Sequence, residues 1–364
     1  MNKEDVKRIF NAVKDEYLSG YKENNHPVAF LLGGQGSVGK GQLSRMIVSQ
    51  NPDLHKIFFI NGDVYRNEHP DNKRLQHSPE SYSRETQSFS SIFTEGFIEE
   101  SIKRKLNVSV EGTMRNPNTP LTTAALFRKN GYRVEAYVIA APVEFSSLNL
   151  YTRYANELIQ GELGRLADKS SHDAAAEMMP TTVDALFRNK AVDAIHIYSC
   201  FAKDKVAEYH LVDGRWDRPE LPSEIISKSR DKQKTDLSTM QRLLERSRII
   251  ESVISNPKIL NEVQTARDDL DRLIKEEKAI QTIVERTRNS WAKRFSEEHL
   301  TVLSDYIESS KLDSTEDKFA HIWNKAETRM EELHINIHWQ KDTHNEMSDL
   351  LKGITREQSY GWKI

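Results

Sequence analysis

The chain has 364 residues, a length that suggests about two domains. Hydrophobic residues make up 37% and charged residues 29%, with a net charge of −3, so the composition is globular and excludes a bulk nucleic-acid or membrane-surface binder. The single cysteine, Cys200, excludes an internal disulfide framework and fits a reducing cytoplasm. No apolar run is long enough to span a bilayer, and the charged N-terminus lacks a secretory apolar core.

A helical pattern over residues 3–24 precedes a glycine-rich loop at residues 34–41. The loop lies between an apolar run, 28–32, that predicts a strand and a helical pattern at 42–49. In this context the loop N–H groups and the helix N-terminus hold phosphate, and Lys40 reaches the β- and γ-phosphates. An ordinary strand-to-helix turn is the alternative. The residues assigned to nucleotide binding are Gly34, Gln35, Gly36, Ser37, Val38, Gly39, Lys40 and Gly41.

Short apolar runs at 57–60, 106–110, 134–140 and 194–198 predict four more strands. They alternate with helical patterns, which cover 79–105, 121–130, the segment after Pro142, and 171–190, where Pro180 is expected to break or start a helix. This alternation predicts an α/β fold, a parallel sheet with helices on both faces. Residues 203–219 predict an extended tail or hairpin that turns at Asp213-Gly214.

Beyond about residue 220 the chain has almost no glycine, carries mixed charge, and repeats apolar residues at helical spacing. The pattern predicts a helical hairpin or a bundle of about three helices, with breaks at Asn256-Pro257 and Asp313-Ser314 and a capping box at Ser314 and Asp317. We therefore predict two domains, residues 1–220 and 221–364. The apolar stripes favour packing within the chain, and oligomerisation, partner docking or self-restraint remain alternatives.

Polar residues follow the predicted strands at the edge where open parallel sheets bind ligands. Asp63 follows the second strand. Its candidate roles are a general base for a substrate hydroxyl, a Mg²⁺ ligand, or a simple turn residue. Glu111 ends the third strand, and in phosphate-loop proteins an acidic residue at this position often orients Mg²⁺ through water. A simple strand-to-loop turn is the alternative. The following Thr113 and Arg115 are expected to face the ligand-binding edge of the sheet.

Two arginines are candidates for clamping phosphate. Arg153 and Arg165 lie after the fourth strand, and a planar guanidinium binds phosphate oxygens through two hydrogen bonds at once. Each arginine alone is more typical of an exposed surface residue than of a phosphate clamp. The histidines show no metal-ligand spacing, and Cys200 has no nucleophile context, so we expect it to be buried.

Taken together, these motifs resemble the zeta-toxin family, kinases of bacterial toxin–antitoxin systems, over about residues 24–200. The resemblance depends on their order and spacing. The motifs are the loop 34–41, Ile60-Asn61-Gly62-Asp63, His69-Pro70, Thr94-Glu95, Val110-Glu111-Gly112-Thr113 with Arg115 and Pro120, Thr123-Ala124, Gly131-Tyr132, Ala141-Pro142, Arg153-Tyr154, and Arg165 ahead of His172-Asp173.

The resemblance implies a P-loop kinase-like fold and a reaction. The γ-phosphoryl group of ATP or GTP, with Mg²⁺, passes to the 3′-hydroxyl on the amino sugar of UDP-N-acetylglucosamine, and cell-wall synthesis fails. It also implies a small helical antitoxin as partner. Lys40 matches the lysine on the nucleotide phosphates, Asp63 the general base, and Arg153 and Arg165 the arginines on the transferred group. The substrate-binding positions match Glu95, Glu111, Thr113, Arg115 and Thr123.

The sequence departs from the family pattern at two glycines. Gly41 stands in place of a hydroxyl residue that helps to hold Mg²⁺, which leaves Asp63 and Glu111 as candidate ligands, partly through water. Gly62 replaces a polar residue beside the base, so other UDP-sugars are candidate acceptors. Two alternatives stay open: a nucleotide-binding module whose helical tail is the working part, and a kinase for another small molecule or nucleotide.

Overall fold

The structure is a computed structural model, and it describes residues 1–52, 54, 56–162, 164, 166–289 and 294–359. These residues contain a seven-stranded sheet. Its strands are β1 (Val28–Gly33), β2 (Phe58–Asn61), β3 (Val108–Glu111), β4 (Arg133–Ala140), β5 (Ala194–Ser199), β6 (Lys205–Val212) and β7 (Arg215–Trp216). Their order across the sheet is β2-β3-β1-β4-β5-β6-β7.

The first five strands are parallel, which confirms the prediction. Their carboxyl ends therefore lie along one edge of the sheet, where Gly33 of β1 is followed by the predicted phosphate loop, residues 34–41. The register pairs Leu32 with Glu111 and Asn61 with Glu111, so the ends of β1, β3 and β2 are neighbours. The predicted hairpin adds β6 and β7 as antiparallel strands, and its turn at Asp213 and Gly214 has φ values of 49° and 72°.

Helices flank the sheet and continue beyond it. In chain order they are α1 (Lys3–Tyr17), α2 (Lys40–Gln50), α3 (Gly62–Tyr65), α4 (Asn72–Gln76), α5 (Pro79–Glu85), α6 (Gln87–Lys103), α7 (Asn118–Lys129), α8 (Val143–Ile159), α9 (Lys169–Arg188), α10 (Pro222–Gln233), α11 (Leu237–Ser247), α12 (Pro257–Arg288), α13 (Glu297–Ser309), α14 (Thr315–Glu332) and α15 (Ile337–Ser359). None of these helices in the described residues is long and apolar enough to span a membrane.

Three predicted segments differ locally from the structure. The predicted helix at 3–24 ends at Tyr17, before Gly20, whose φ of 77° is not helical. The predicted helix at 79–105 is two helices that meet at Thr86. The simple turn given as an alternative for Asp63 is instead the short helix α3, which Asn61 caps by accepting a hydrogen bond from the Asp63 N–H.

An aromatic cluster fixes α1 and α6 against the end of the sheet that carries β2. Phe97 on α6 is fully buried, with its ring centroid 4.9 Å from that of Phe10 and 5.3 Å from that of Phe58. Gly96 permits this approach, since a Cβ there would lie 2.7 Å from the Phe10 ring. Edge-to-face aromatic pairs of this kind stabilise a core beyond their buried area. The cluster therefore positions β2 and the residues that follow it.

Pro180 lies inside α9, so the prediction that it breaks or starts a helix is wrong. A proline has no N–H to donate to the carbonyl four residues earlier, which here belongs to Ala176. The guanidinium of Arg230 on α10 donates to that carbonyl instead, at 2.8 Å from Nη2 to oxygen. The helix continues because a neighbouring helix supplies the missing donor.

Contacts between residues divide the chain into two compact units. The first comprises Met1–Gln233 and Glu245–Val263, and the second comprises Lys234–Leu244 and Gln264–Ile364. The predicted boundary after residue 220 precedes α10, which the structure groups with the sheet. Within the first unit, the Tyr151 hydroxyl donates to Glu262 at 2.9 Å, so a residue beyond the predicted boundary contacts α8 directly.

The described residues of the C-terminal region are helical, as predicted, but they form six helices, α10 to α15, rather than about three. The predicted breaks at 256–257 and 313–314 are present, and further breaks separate α10 from α11, α12 from α13, and α14 from α15. The second unit has its own apolar core, which includes Ile283, Trp323 and Met330. Ser314 caps α14 by accepting from the Asp317 N–H at 3.0 Å, at the predicted position.

Candidate active site

The phosphate loop connects β1 to α2 in a backbone conformation that requires glycine. Gly34 and Gly39 have φ values of 143° and 102°. A Cβ on Gly39 would lie 2.6 Å from the Cα of Phe201, in the turn after β5. The Phe201 N–H donates to the carbonyl of Val38 at 2.8 Å. The loop is therefore held from behind by the end of β5, with the N-terminus of α2 at its other end.

Lys40, the first residue of α2, folds back over the loop. Its Nζ donates to the carbonyl oxygens of Gly34 and Gln35, at 2.8 and 3.0 Å, and lies 3.7 Å from Oε1 of Glu111. The side chain is only 10% exposed. An ammonium group thus lies against the loop at the N-terminus of α2, and a cation beside a helix N-terminus favours the binding of an anion such as phosphate.

Glu111 and Asp63 are connected through Asn61 at the ends of β3 and β2. The Asn61 amide donates to Glu111 Oε2 at 2.9 Å, and its oxygen accepts from the Asp63 N–H at 2.9 Å. The structure therefore brings three predicted residues, Lys40, Glu111 and Asp63, to one edge of the sheet. The Asp63 side chain is 56% exposed, so a substrate can reach it.

Arg66 orients Asp63, and the sequence analysis missed it. Its Nε donates to Asp63 Oδ1 at 3.0 Å, one helical turn away, and the guanidinium is only 8% exposed. Nη1 donates to the Ser83 carbonyl at 2.9 Å and Nη2 to Gln87 at 3.1 Å. The spacing of three residues from Asp63 is the available sequence signal, because residues i and i+3 share a helix face.

The predicted substrate-binding residues are more dispersed. Glu95 is exposed on α6, and Thr113 and Arg115 are exposed in the segment after β3. Thr123 is half-buried on α7, where its hydroxyl donates to the Thr119 carbonyl of its own helix. Described contacts do not connect these four side chains to Asp63. Their role in binding a substrate stays a prediction.

Of the two predicted phosphate-clamping arginines, the structure describes Arg153. Arg153 lies on α8, with its Nε 3.4 Å from Glu157 Oε1 one turn along the same helix. Arg165 lies outside the described residues. A cavity of about 410 Å³ adjoins the site and is lined by residues that include Gly41, Val48, Phe59, Asn61 and Glu111. It runs from apolar side chains on α2 and β2 to the polar strand ends.

The described residues contain no group of three or more His, Cys, Asp or Glu side chains that suits a metal ion. Gly41 contributes no hydroxyl, although a Cβ there would meet no atom within 4 Å. Cys200 is buried as predicted, and burial raises the pKa of its thiol to about 12, so it is not a nucleophile.

Comparison with known proteins identifies the family. The family model described as Zeta toxin matches residues 12–215. Toxin zeta of Enterococcus hirae is 28% identical over 187 residues, which are 51% of this chain and 65% of that protein. Toxin PezT of Streptococcus pneumoniae serotype 4 is 30% identical over 209 residues, which are 57% of this chain and 81% of that protein.

A solved structure shares the fold. It is a chain from the PezAT chromosomal toxin–antitoxin system of Streptococcus pneumoniae, 22% identical, with a TM-score of 0.58 over 69% of this chain and 98% of that one. The match to the Enterococcus hirae protein leaves about a third of that toxin unmatched. Since the family model covers more than half of the residues, from α1 to β7, the chain belongs to the zeta toxin family.

Proposed function

We propose that this protein is a toxin kinase that phosphorylates a UDP-sugar. The donor is ATP or GTP, and the acceptor is the 3′-hydroxyl on the amino sugar of UDP-N-acetylglucosamine or a related UDP-sugar. The product is a dead-end nucleotide sugar, so cell-wall synthesis stops. The observation that supports this most is the joint placement of Lys40, Glu111 and Asp63 at the carboxyl ends of β1, β3 and β2.

In the proposed reaction the acceptor hydroxyl passes its proton to Asp63 and its oxygen attacks the γ-phosphorus. A new O–P bond forms while the bond from the γ-phosphorus to the β,γ-bridging oxygen breaks, and ADP or GDP leaves. Arg66 holds one oxygen of the Asp63 carboxylate, which orients the base. Lys40 balances charge on the β- and γ-phosphates. Arg153 and Arg165 are proposed to stabilise the transferred group.

We propose Mg²⁺ as the metal, with Glu111 and Asp63 as its protein ligands, partly through water. Mg²⁺ prefers oxygen ligands and keeps several waters, and it screens charge on the phosphates when bound. Two carboxylates support this proposal, because Glu111 lies beside Lys40 and Asp63 follows the neighbouring strand. Gly41 adds no ligand, so the nucleotide phosphates and water supply the rest.

The proposed UDP-sugar site is formed by residues on other elements than those that carry Lys40 and Asp63. Glu95, Thr113, Arg115 and Thr123 are proposed to bind the UDP-sugar, with Arg115 as the cation for its diphosphate. The neighbouring cavity gives room for a group about the size of a sugar ring or a base. Because Gly62 replaces a polar residue beside the base, a panel of UDP-sugars is needed to identify the sugar that is phosphorylated.

A phosphotransfer assay tests the function. Full-length protein is supplied with Mg²⁺, ATP or GTP, and a panel of UDP-sugars, and products are identified by mass. We expect one nucleotide sugar to gain a phosphate. Asp63→Asn should lower kcat by about 10²–10⁴-fold while the Kd for ATP changes little. Asp71→Asn removes another exposed, arginine-paired carboxylate and serves as the matched control.

The assay also separates this proposal from the main alternative, a nucleotide-binding module without turnover. Gly41 is the observation that favours that alternative. Nucleotide binding without phosphorylation of any acceptor would contradict the UDP-sugar kinase proposal. In that case Gly41→Thr tests whether the missing hydroxyl ligand for Mg²⁺ prevents turnover, because a side chain at this position has room beside the loop. Turnover restored by that change alone would show that the metal site, and not the choice of acceptor, limits the wild-type chain.

We also propose a small helical antitoxin as partner, which covers the nucleotide site, and a cytoplasmic setting, where nucleotides and UDP-sugars are present. The partner proposal derives from membership of the zeta toxin family. Expression of the wild-type chain without an antitoxin should arrest growth, and expression of Asp63→Asn should not. Equal toxicity of the two chains would contradict a catalytic origin of the effect.

A further inference from the structure

A buried chain of polar side chains runs from the phosphate loop to α9. Gln35, the second residue of the loop, is fully buried, and its Nε2 donates to the Ala141 carbonyl and to the Ser146 hydroxyl, both at 3.1 Å. His172 Nε2 lies 3.0 Å from the same hydroxyl, and His172 Nδ1 lies 2.9 Å from Asp173 Oδ1. Buried polar groups are costly to leave unpaired, so such a chain holds its members in place.

Charges around His172 set the direction of these hydrogen bonds. Burial lowers the pKa of His172 despite the neighbouring Asp173 carboxylate, so the imidazole is neutral at neutral pH. Burial alone would raise the pKa of Asp173, but the Lys169 ammonium and His172 hold it below its usual range. A carboxylate only accepts, so the single imidazole proton is on Nδ1. His172 Nε2 then accepts from Ser146, and the Ser146 oxygen accepts from Gln35.

The order of groups is that of a Ser-His-Asp triad, but nucleophilic chemistry is excluded. Ser146 is fully buried and His172 is 3% exposed, so a substrate carbonyl cannot reach the hydroxyl. The same side chains instead connect three elements of the site: the loop, α8 and α9. Asn149, one turn after Ser146, adds a second contact from α8, because its amide donates to the Ser37 carbonyl at 2.7 Å.

We propose that Ser146, His172 and Asp173 are positioning residues that set the shape of the phosphate loop through Gln35. The Gln35 carbonyl accepts from Lys40 at 3.0 Å, so the position of this one residue also sets where the lysine ammonium lies. With His172 as acceptor, Ser146 keeps a lone pair directed at Gln35. Without that acceptor the hydroxyl rotates toward the carbonyls of Pro142 and Val143, 3.3 and 3.1 Å away. The inference depends on the proposed nucleotide-binding function.

Two substitutions of His172 form a matched pair for the test. Glutamine reaches the position of Nε2 and offers Ser146 an acceptor, whereas asparagine reaches only the position of Nδ1. We measure the Kd for ATP with Mg²⁺ by calorimetry on the full chain, with thermal unfolding as the check on folding. His172→Asn and Ser146→Ala should weaken ATP binding about five- to tenfold, and His172→Gln should stay within about twofold of the wild type. The KM for the acceptor should not change.

The outcomes separate this inference from the proposed function. Equal Kd values for wild type, His172→Asn and Ser146→Ala would overturn the positioning role and leave the kinase proposal intact. Equal losses in His172→Asn and His172→Gln would also overturn it, because the acceptor at Nε2 would then be irrelevant. No ATP binding by the wild-type chain would overturn both. If the buried variants do not fold, Asp173→Ala replaces them, since that half-exposed carboxylate fixes the imidazole proton and should weaken binding about two- to fivefold.

Discussion

The two glycines on either side of Lys40 have opposite structural requirements. Gly39 adopts a φ of 102° and has the Phe201 backbone against it, whereas Gly41 lies in the first turn of α2 with open space at its Cβ position. Gly39→Ala should destabilise the protein by about 1–3 kcal/mol and weaken ATP binding. Gly41→Ala should be neutral or stabilise by up to about 1 kcal/mol, because alanine loses less backbone entropy in a helix.

Urea unfolding and ATP titration of the two alanine variants measure this difference. Each variant adds the same methyl group to the same loop, so each controls for the other. Similar stabilities for both variants would contradict the close approach of Phe201 to Gly39. A loss of ATP binding in Gly41→Ala would mean that the loop itself, and not only the Mg²⁺ ligand set, needs a glycine at that position.

Buried His172 makes stability depend on pH. Burial lowers its folded-state pKa, with Lys169 and Lys40 acting in the same direction and Asp173 opposing them. Below the unfolded-state pKa of about 6.5 the unfolded chain therefore binds more protons than the folded chain. The free energy of unfolding should fall as the pH decreases from about 6.5, by at most about 1.4 kcal/mol per pH unit, and it should be insensitive to this group above that pH.

The comparison of wild type with His172→Gln isolates this contribution. The pKa of His69 is also lowered by burial, and its effect is common to both proteins. Urea unfolding between pH 5.5 and 7.5 should give a shallower pH dependence for the variant. Parallel curves would show that folding does not shift the pKa of His172, which would contradict the burial of a neutral imidazole.

At the scale of elements, α10 compensates for the proline in α9. Arg230 donates to the Ala176 carbonyl that Pro180 leaves without its helical partner, and burial lowers the pKa of this guanidinium. Arg230→Met should cost about 1–3 kcal/mol, because a buried acceptor then has no donor. In a Pro180→Ala background the new N–H satisfies Ala176, so the same substitution should cost about 1 kcal/mol less.

A double-mutant cycle on unfolding free energies measures this coupling. Arg188→Met, which removes an exposed arginine from the same helix, is the control and should change stability by less than about 0.5 kcal/mol. Additive effects of Pro180→Ala and Arg230→Met would show that Arg230 stabilises α10 by contacts unrelated to the proline.

Local patterns were enough to predict the strands, the loop and the strand-end residues. Each of β1 to β5 is a short apolar run. Glu111 ends β3, Asp63 lies two residues after β2, and Lys40 begins the helix after the loop that follows β1. Gln233 and Arg230 could not be predicted in this way, because each donates to a backbone carbonyl that only the fold brings near. Arg66 lies three residues after Asp63, so a local signal was present for that residue. Pro180 shows the same limit as Gln233 and Arg230. The rule that a proline breaks a helix fails here, because Arg230, 50 residues further along the chain, donates to the carbonyl that the proline leaves without a partner.

At the scale of the whole molecule, the first unit reaches well past its predicted end. Gln233 at the end of α10 donates to the Ala140 carbonyl at 2.5 Å, and its oxygen accepts from the Cys200 N–H at 2.8 Å. It thus connects the carboxyl ends of β4 and β5, next to the turn that supports Gly39. Ile226 of α10 is fully buried in the core that includes β5. The composition change near residue 220 therefore precedes α10, a helix that the contacts group with the first unit.

Three nested truncations test this organisation. A chain that ends at residue 220 loses α10 and should be insoluble or unfolded, because Ile226 and the Gln233 contacts are gone. A chain that ends at 233 keeps them but lacks residues 245–263, including the Glu262 partner of Tyr151, so it should fold with reduced stability. A chain that ends at 263 contains the whole first unit and should unfold cooperatively and bind ATP with the affinity of the full chain. A stable, ATP-binding chain ending at 220 would contradict this assignment, because α10 would then be dispensable for both the core and the loop.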